Sequence, residues 1–184
     1  LYITSNTYTT LAQDIKVEGA LSISGTFDPT QNYTVSGAGN ISIEYYGQLV
    51  VRTATFSGNY THSGGTNSNS YLSYITYASN TIDQTVAHDL GDDYEILVIS
   101  GSSTKTPSGD LDINGALLVT NGATLDIANY TVDGNSGQIL NIYAGSTLEI
   151  GATNSFPKNF SSRTLATTST VAYYGSNQMV CAAS

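Results

Sequence analysis

Basic residues are nearly missing from this chain. Lys16, Arg52, Lys105, Lys158 and Arg163 are the whole complement in 184 residues, set against 14 acids for a formal net charge of −9. Nucleic acid and anionic membrane both require clustered Lys and Arg, so neither is an expected partner. Cys181 stands alone, which excludes an internal disulfide and a Cys-built metal site. It follows Met179-Val180 in an alternating run and is expected to pack as a small apolar group. Tryptophan is absent, which removes the usual sugar-stacking side chain. Charged residues make up 10% of the chain, where about 25% is usual. No apolar run reaches 18 residues, so no membrane insertion by a helix is expected. No window carries apolar positions at i, i+3, i+4 and i+7 beyond one turn, so little helix is expected. The chain starts on Leu1 without a visible signal peptide, the pattern of a removed leader or of a piece of a longer chain.

What the chain has is repetition. Leu97-Val98-Ile99-Ser100 aligns with Leu1-Tyr2-Ile3-Thr4 at an offset of 96, and Ile113 to Val119 falls on Val17 to Ile23. Asn129 to Gly134 matches Asn32 to Gly37 at 97, Phe156, Asn159 and Phe160 match Phe56, Asn59 and Tyr60 at 100, and Val171 and Tyr173 match Ile75 and Tyr77 at 96. Two long repeats, 1–96 and 97–184, are therefore expected in one continuous body. Inside them Asn121 to Ile127 recurs as Ala144 to Ile150, at an offset of 23. Each unit alternates apolar and polar residues around a Gly-centred turn, which sets Leu125 and Ile127 on one face and Thr124 and Asp126 on the other. Such units bury their apolar faces only by stacking. The expected fold is all-β, a right-handed parallel β-helix (β-solenoid) of about eight coils, four per long repeat. Two tandem immunoglobulin-like β-sandwiches are the alternative, since the long repeat is also close to their size; the short internal repeat weighs against them.

Several residues could carry chemistry. Asp89, Asp92, Asp93 and Glu95 lie where the repeats join and could supply the oxygen ligands that calcium prefers, although the spacing matches no EF-hand; a solvated acidic loop is the plainer reading. Asp92 with Asp93, or Asp110 with Asp112, could be proposed as the acid and base of a glycosidase. Neighbours on a strand point apart, however, and the chain offers little to hold an acidic polysaccharide. His62 and His88 are isolated and read as surface or loop histidines. Five sequons, at Asn32, Asn40, Asn59, Asn129 and Asn159, are candidate glycosylation sites; a chain rich in Asn, Ser and Thr also makes sequons by chance. Fourteen tyrosines include the doublets Tyr45-Tyr46 and Tyr173-Tyr174, each expected to send one ring inward and one outward. Regularly spaced Thr-x-Thr, as an ice-binding face needs, is confined to scattered pairs such as Thr7-Thr9 and Thr53-Thr55.

The segments SGSSTKTPSGDLDINGALLVTNGATLDI (100–127) and NSFPKNFSSRTLATTSTVAYYGSNQMV (154–180) resemble the repeats of large secreted surface proteins of Bacteroidota-type bacteria. The second copy matches over nearly its whole length, the first chiefly at Gly19-Ala20-Leu21 and from Tyr77 to Val86. Pro107 replaces the usual Leu. The resemblance implies a parallel β-solenoid in an exported, cell-surface or adhesin-like protein with no assigned catalytic residues.

The functional expectation is a non-enzymatic extracellular structural protein, a module of a surface fibre. Its partners would be copies of itself, joined head to tail through Leu1, Tyr2 and Ile3 at one end and Met179, Val180 and Cys181 at the other. An adhesin-type glycan-binding module is the alternative, and a carbohydrate-active enzyme on a β-helix a third reading. Calcium is the one cofactor these residues suggest.

Overall fold

The structure, a computed structural model, describes residues 1–67, 71–88, 90, 94–135, 137–178 and 180. It is a parallel β-solenoid. Its first coils contribute β1 (Tyr2–Ile3), β2 (Tyr8–Thr10) and β3 (Ile15–Lys16), then β4 (Leu21–Ile23), β5 (Thr26–Asp28) and β6 (Val35–Gly37). The third holds β7 (Ile41–Ile43), β8 (Gln48–Val51), the one-turn helix α1 (Phe56–Asn59) and β9 (Tyr60–His62), and the fourth β10 (Thr66–Asn67), β11 (Tyr74–Tyr77) and β12 (Gln84–Val86). There follow β13 (Tyr94–Ile99), β14 (Thr104–Pro107), β15 (Leu111–Val119), β16 (Thr124–Asp126), β17 (Val132–Gly134), β18 (Ile139–Ile142), β19 (Thr147–Ile150), β20 (Ser162–Leu165) and β21 (Thr170–Tyr173).

One sheet forms the spine, in the order β2-β5-β8-β11-β13-β15-β18-β20, with β17 beside β15. It is flanked by β1-β4-β7-β10 and β3-β6-β9 in the first half and by β12-β14-β16-β19-β21 in the second. Every strand pairing among the described residues is parallel. Immunoglobulin-like sandwiches are antiparallel, so that alternative is overturned. The long repeats are continuous: β13 spans their junction and pairs in register with β11 of the first, Tyr74 to Tyr77 against Ile96 to Ile99.

Period-2 alternation turns one row of each strand inward, and stacking aligns these rows into columns. In the spine Phe27, Leu49, Ile75, Leu97, Leu117 and Leu140 succeed one another in register, each at most 1% exposed. A second column runs Val51, Tyr77, Ile99, Val119 and Ile142. Burying each such side chain contributes about 1.5–3 kcal/mol.

Coil length is not constant. Along the spine the register partners Tyr8, Thr26, Gln48, Tyr74, Ile96, Ala116, Ile139 and Ser162 follow one another at sequence offsets of 18, 22, 26, 22, 20, 23 and 23. The short sequence period is thus the length of the last two coils. The longest coil, between Gln48 and Tyr74, is the one that accommodates α1. Seven steps span the spine, about seven coils where eight were expected, and the rungs cover roughly 34 Å at about 4.8 Å each.

The mean of these offsets is 22, so the long repeat's offset of 96 is about four and one-third coils rather than four. Sequence-equivalent segments accordingly lie on different faces. Leu21–Ile23 sits in the sheet preceding the spine, but its equivalent in the second copy, Leu117–Val119, is in the spine itself. Ile75–Tyr77 is in the spine, while its equivalent Val171–Tyr173 is in the sheet that follows it. The local unit of strand, corner and strand is duplicated, and the duplicate is displaced one face around the rod.

Candidate functional site

Asp110, one of the carboxylates that could suggest catalysis, is used to hold coils together, as are Asp14 and Asp83. Asp14 accepts the Thr34 backbone N–H at 2.8 Å, Asp83 that of Thr104 at 2.9 Å, and Asp110 that of Thr131 at 2.7 Å. Each of these bonds reaches one coil forward. Asp14 and Asp110 are equivalent in the duplication, so the device was copied with the repeat. Asp89, Asp92 and Asp93 lie outside the described residues. Glu95 is in β13 on a strand rather than in a loop, its carbonyl so close to Gly115 that a Cβ there would collide with it. Among the described residues no three His, Cys, Asp or Glu side chains are grouped to hold a metal.

His62 is not a loop histidine. It sits half-buried in β9, shares a hydrogen bond between Nε2 and Thr66 Oγ1 at 3.0 Å, and meets the Phe56 ring edge-on. Burial lowers its pKa. His88 is exposed and bonded to Ser108 Oγ at 3.0 Å. Of the sequons, Asn32, Asn40, Asn129 and Asn159 are exposed. Asn59 is 0% exposed, and its Nδ2 donates to the carbonyls of Thr30 (2.7 Å) and Tyr33 (3.0 Å). That nitrogen has no room for a glycan, so Asn59 is corrected from acceptor site to core polar residue. Of the residues expected to join copies, Leu1, Tyr2 and Val180 are exposed. Ile3 is packed in the core and offers an edge only through its backbone. Met179 and Cys181 lie outside the described residues.

The site that emerges is a corner. Between β7 and β8 the chain turns tightly over 44–47, closed by Gly47 N–H donating to Glu44 C=O at 2.7 Å. Tight corners of this kind need a left-handed residue, supplied elsewhere in the rod by Asn6 (φ 58°), Gly101 (φ 76°), Asn121 (φ 55°), Gly122 (φ 72°) and Gly145 (φ 76°). Here it is Tyr46 (φ 59°), and one coil later Leu72 (φ 60°). Neither side chain suits that region, and each costs roughly 1–2 kcal/mol. Both members of the Tyr45-Tyr46 doublet consequently point outward, contrary to the expectation of one inside, because 44–47 is a corner and not a strand. The second doublet follows the expectation, with Tyr173 half-buried and Tyr174 exposed.

Tyr45 stacks on Tyr71 of the next coil, centroids 6.2 Å apart and planes 21° apart, and lies 4.2 Å from Tyr46. Hydrogen bonding of the Tyr45 hydroxyl to Tyr46 holds the Tyr45 pKa above the ordinary tyrosine value. Toward the first coil Tyr2 meets Ser24 Oγ at 2.8 Å and Tyr8 donates to Asp28 Oδ2 at 2.5 Å. A recess of about 520 Å³ opens among Tyr8, Tyr45 and Tyr46 and the side chains of Ser5, Thr7 and Thr26. Its flank is held by Asp28, which is 2% exposed and receives Arg52 Nε and Nη2 at 3.1 and 2.8 Å. Burial raises the Asp28 pKa, but Arg52 and Tyr8 outweigh it and hold the carboxyl below its ordinary value. Arg52 Nη1 donates in turn to Ala78 C=O at 2.6 Å, tying three coils.

No helix of the described residues is long and apolar enough to cross a membrane. Comparison of this chain with protein-family models, with curated proteins and with solved structures returns no match.

Proposed function

We propose that the chain is a non-enzymatic structural segment of an extracellular or cell-surface rod, extended through its terminal rungs to copies of itself. One observation carries the reading. The spine runs without a break from β2 to β20, and among the described residues these outermost strands are paired on one side only. Their free backbone groups form a template for a further strand. The commitment of Asp14, Asp83 and Asp110 to backbone bonds supports a structural role. The extracellular setting rests on the resemblance of 100–127 and 154–180 to secreted surface repeats.

The joint has a specific chemistry. In the spine's main column Arg163 stands where Leu140 and five apolar residues stand before it, and Thr9 closes the other end. Arg163 lies over the Phe156 ring at 5.8 Å. Arg163 is exposed at this end of the column, and a charge there restrains pairing, so backbone bonds and the neighbouring Leu165, not the main column, would hold the joint. Arg163→Leu is expected to strengthen end-to-end association at least tenfold in midpoint concentration. Sedimentation and electron microscopy of parent and variant check this. Rods that lengthen in the variant support the reading; a parent and variant that both remain single 19.3 kDa particles at all concentrations overturn it.

A further inference from the structure

We infer that the tyrosine corner of the first four coils is a binding shelf for an uncharged carbohydrate. The shelf lies on the side of the solenoid and touches the first rung, proposed to meet the next copy, only at Tyr2 and Tyr8; its centre, Tyr45, Tyr46 and Tyr71, belongs to the third and fourth coils.

Aromatic rings are gathered there rather than scattered. Tyr2, Tyr8, Tyr45, Tyr46 and Tyr71 are 53–67% exposed; Tyr45 contacts Tyr46 and Tyr71, Tyr8 shares the recess with Tyr45 and Tyr46, and Tyr2 meets its wall at Ser24. An exposed cluster of this kind marks an interaction surface more often than an isolated ring does.

The backbone provides a second, independent observation. At this corner Tyr46 and Leu72 stand in the left-handed region that Asn6 occupies in the first coil; Thr30, Ala128 and Ala152 do the same at other turns of the rod, but none of those brings an aromatic ring. Strain of this kind persists where a side chain is needed at that place, and it concentrates at ligand-binding sites. An asparagine in place of Tyr46 would satisfy the fold better than tyrosine does. What Tyr46 adds is a ring beside Tyr45, at the mouth of the recess.

The lining identifies the class of ligand. Among the described residues no charged side chain borders the recess. The nearest acids are already engaged, Asp28 by Arg52 and Tyr8, and Glu44 by the hydroxyls of Ser22 and Ser42 at 2.9 Å each. With a net charge of −9 the chain repels acidic polymers. What remains are flat ring faces beside Ser and Thr hydroxyls, which suit the apolar face and hydroxyl rim of a neutral pyranose. The recess runs across successive coils and can follow more than one sugar unit.

The test is an NMR titration of the full chain with cellohexaose, maltohexaose and mannohexaose, using polygalacturonate as the acidic counter-probe. At least one uncharged hexaose is expected to shift the ring signals of Tyr45, Tyr46 and Tyr71, and polygalacturonate is not. Tyr45→Ala and Tyr71→Ala should each weaken binding about tenfold. Tyr46→Asn should weaken binding similarly while raising the thermal midpoint, a combination that a purely structural tyrosine would not give. The inference is overturned if none of the three hexaoses shifts these rings, or if binding survives all three substitutions. It is also overturned if the rings shift with protein concentration alone, which would assign the corner to contacts between copies.

Discussion

Lys105→Met is expected to destabilise the fold by about 3 kcal/mol at pH 7, more than any other exchange at a charged position. Lys105 occupies the inward row of β14, in register between Gln84 and Leu125, and is 0% exposed. Its Nζ donates to the carbonyls of Ser79 (2.8 Å), Gly101 (2.8 Å) and Ser103 (2.9 Å) and to Ser103 Oγ (3.0 Å). The ammonium thus cements a corner by satisfying carbonyls of two coils at once. A thioether fills the column but leaves those oxygens without a donor, at about 1–3 kcal/mol each. Release of the buried charge offsets part of that loss. Burial pushes the Lys105 pKa down to about 8 from 10.5, with Asp83 opposing. Between those pH values the unfolded chain keeps a proton that the folded chain has released, so stability rises with pH across the window, by on the order of 3 kcal/mol. Buried Tyr77 acts in the other direction. Its hydroxyl is pushed up to about 12 from 10.0, so stability is lost between those values. Denaturant unfolding followed by circular dichroism should therefore show a maximum near pH 10. The Met variant should lack the rising limb and keep the falling one. A variant as stable as the parent at pH 7 would contradict the cage.

Asn59→Ala is expected to cost about 4 kcal/mol, while the sequence-equivalent Asn159→Ala costs about 1–2 kcal/mol, the loss set by its left-handed backbone (φ 63°) rather than by buried partners. Besides its two donated bonds, Asn59 Oδ1 accepts from the backbone N–H of Arg52 (2.8 Å) and Thr53 (3.2 Å) and from Thr53 Oγ1 (3.1 Å). One amide joins the loop after β5 to the turn before α1, and Ala takes this partner from the carbonyls of Thr30 and Tyr33 and the backbone N–H groups of Arg52 and Thr53, all partly buried, while Thr53 Oγ1 keeps its bond to the Thr55 carbonyl at 2.9 Å. Asn159 is exposed, with Nδ2 donating to Asp133 Oδ1. Thermal unfolding of the two variants measures the contrast. Peptide mapping after expression in a glycosylating host gives an independent check: Asn59 remains unmodified in folded protein. Equal losses at both positions, or a glycan on Asn59, would contradict the account.

The same pair shows what the sequence can convey. The stacked-strand architecture is legible because Leu117-Val119-Leu125-Ile127 and Leu140-Ile142-Leu148-Ile150 repeat at one constant step, and the last two coils keep that step. Extending it to the whole chain yields one coil too many, because the seven steps of the spine run only from Tyr8 to Ser162 and the residues before and after them add no further rung to it. The displacement of the duplicate by one face follows only once the mean coil is known to be shorter than a quarter of the long repeat. In sequence, Lys105 resembles the exposed centre of a polar Thr-Lys-Thr strand. Only its register with Leu125, in the coil that follows, reveals that it points inward. The two tyrosine doublets are harder to read. Tyr-Tyr-Gly occurs at both 45–47 and 173–175, but the first lies wholly in a corner and the second begins on the last residue of β21, so the tripeptide alone does not separate them. The Asn59 sequon is a short local pattern, and such a pattern carries no information on burial.

The main column tests the central claim most directly. Methyl-to-methyl nuclear Overhauser contacts, in a sample labelled at Ile and Leu, should link Leu49 to Ile75, Ile75 to Leu97, Leu97 to Leu117 and Leu117 to Leu140 in unbroken succession. That ladder, with each residue touching only the rung before and after it, is the result a continuous parallel solenoid predicts. A gap between Ile75 and Leu97, or contacts that pair the same residues in antiparallel order within each half, would contradict it and divide the chain into two separate bodies.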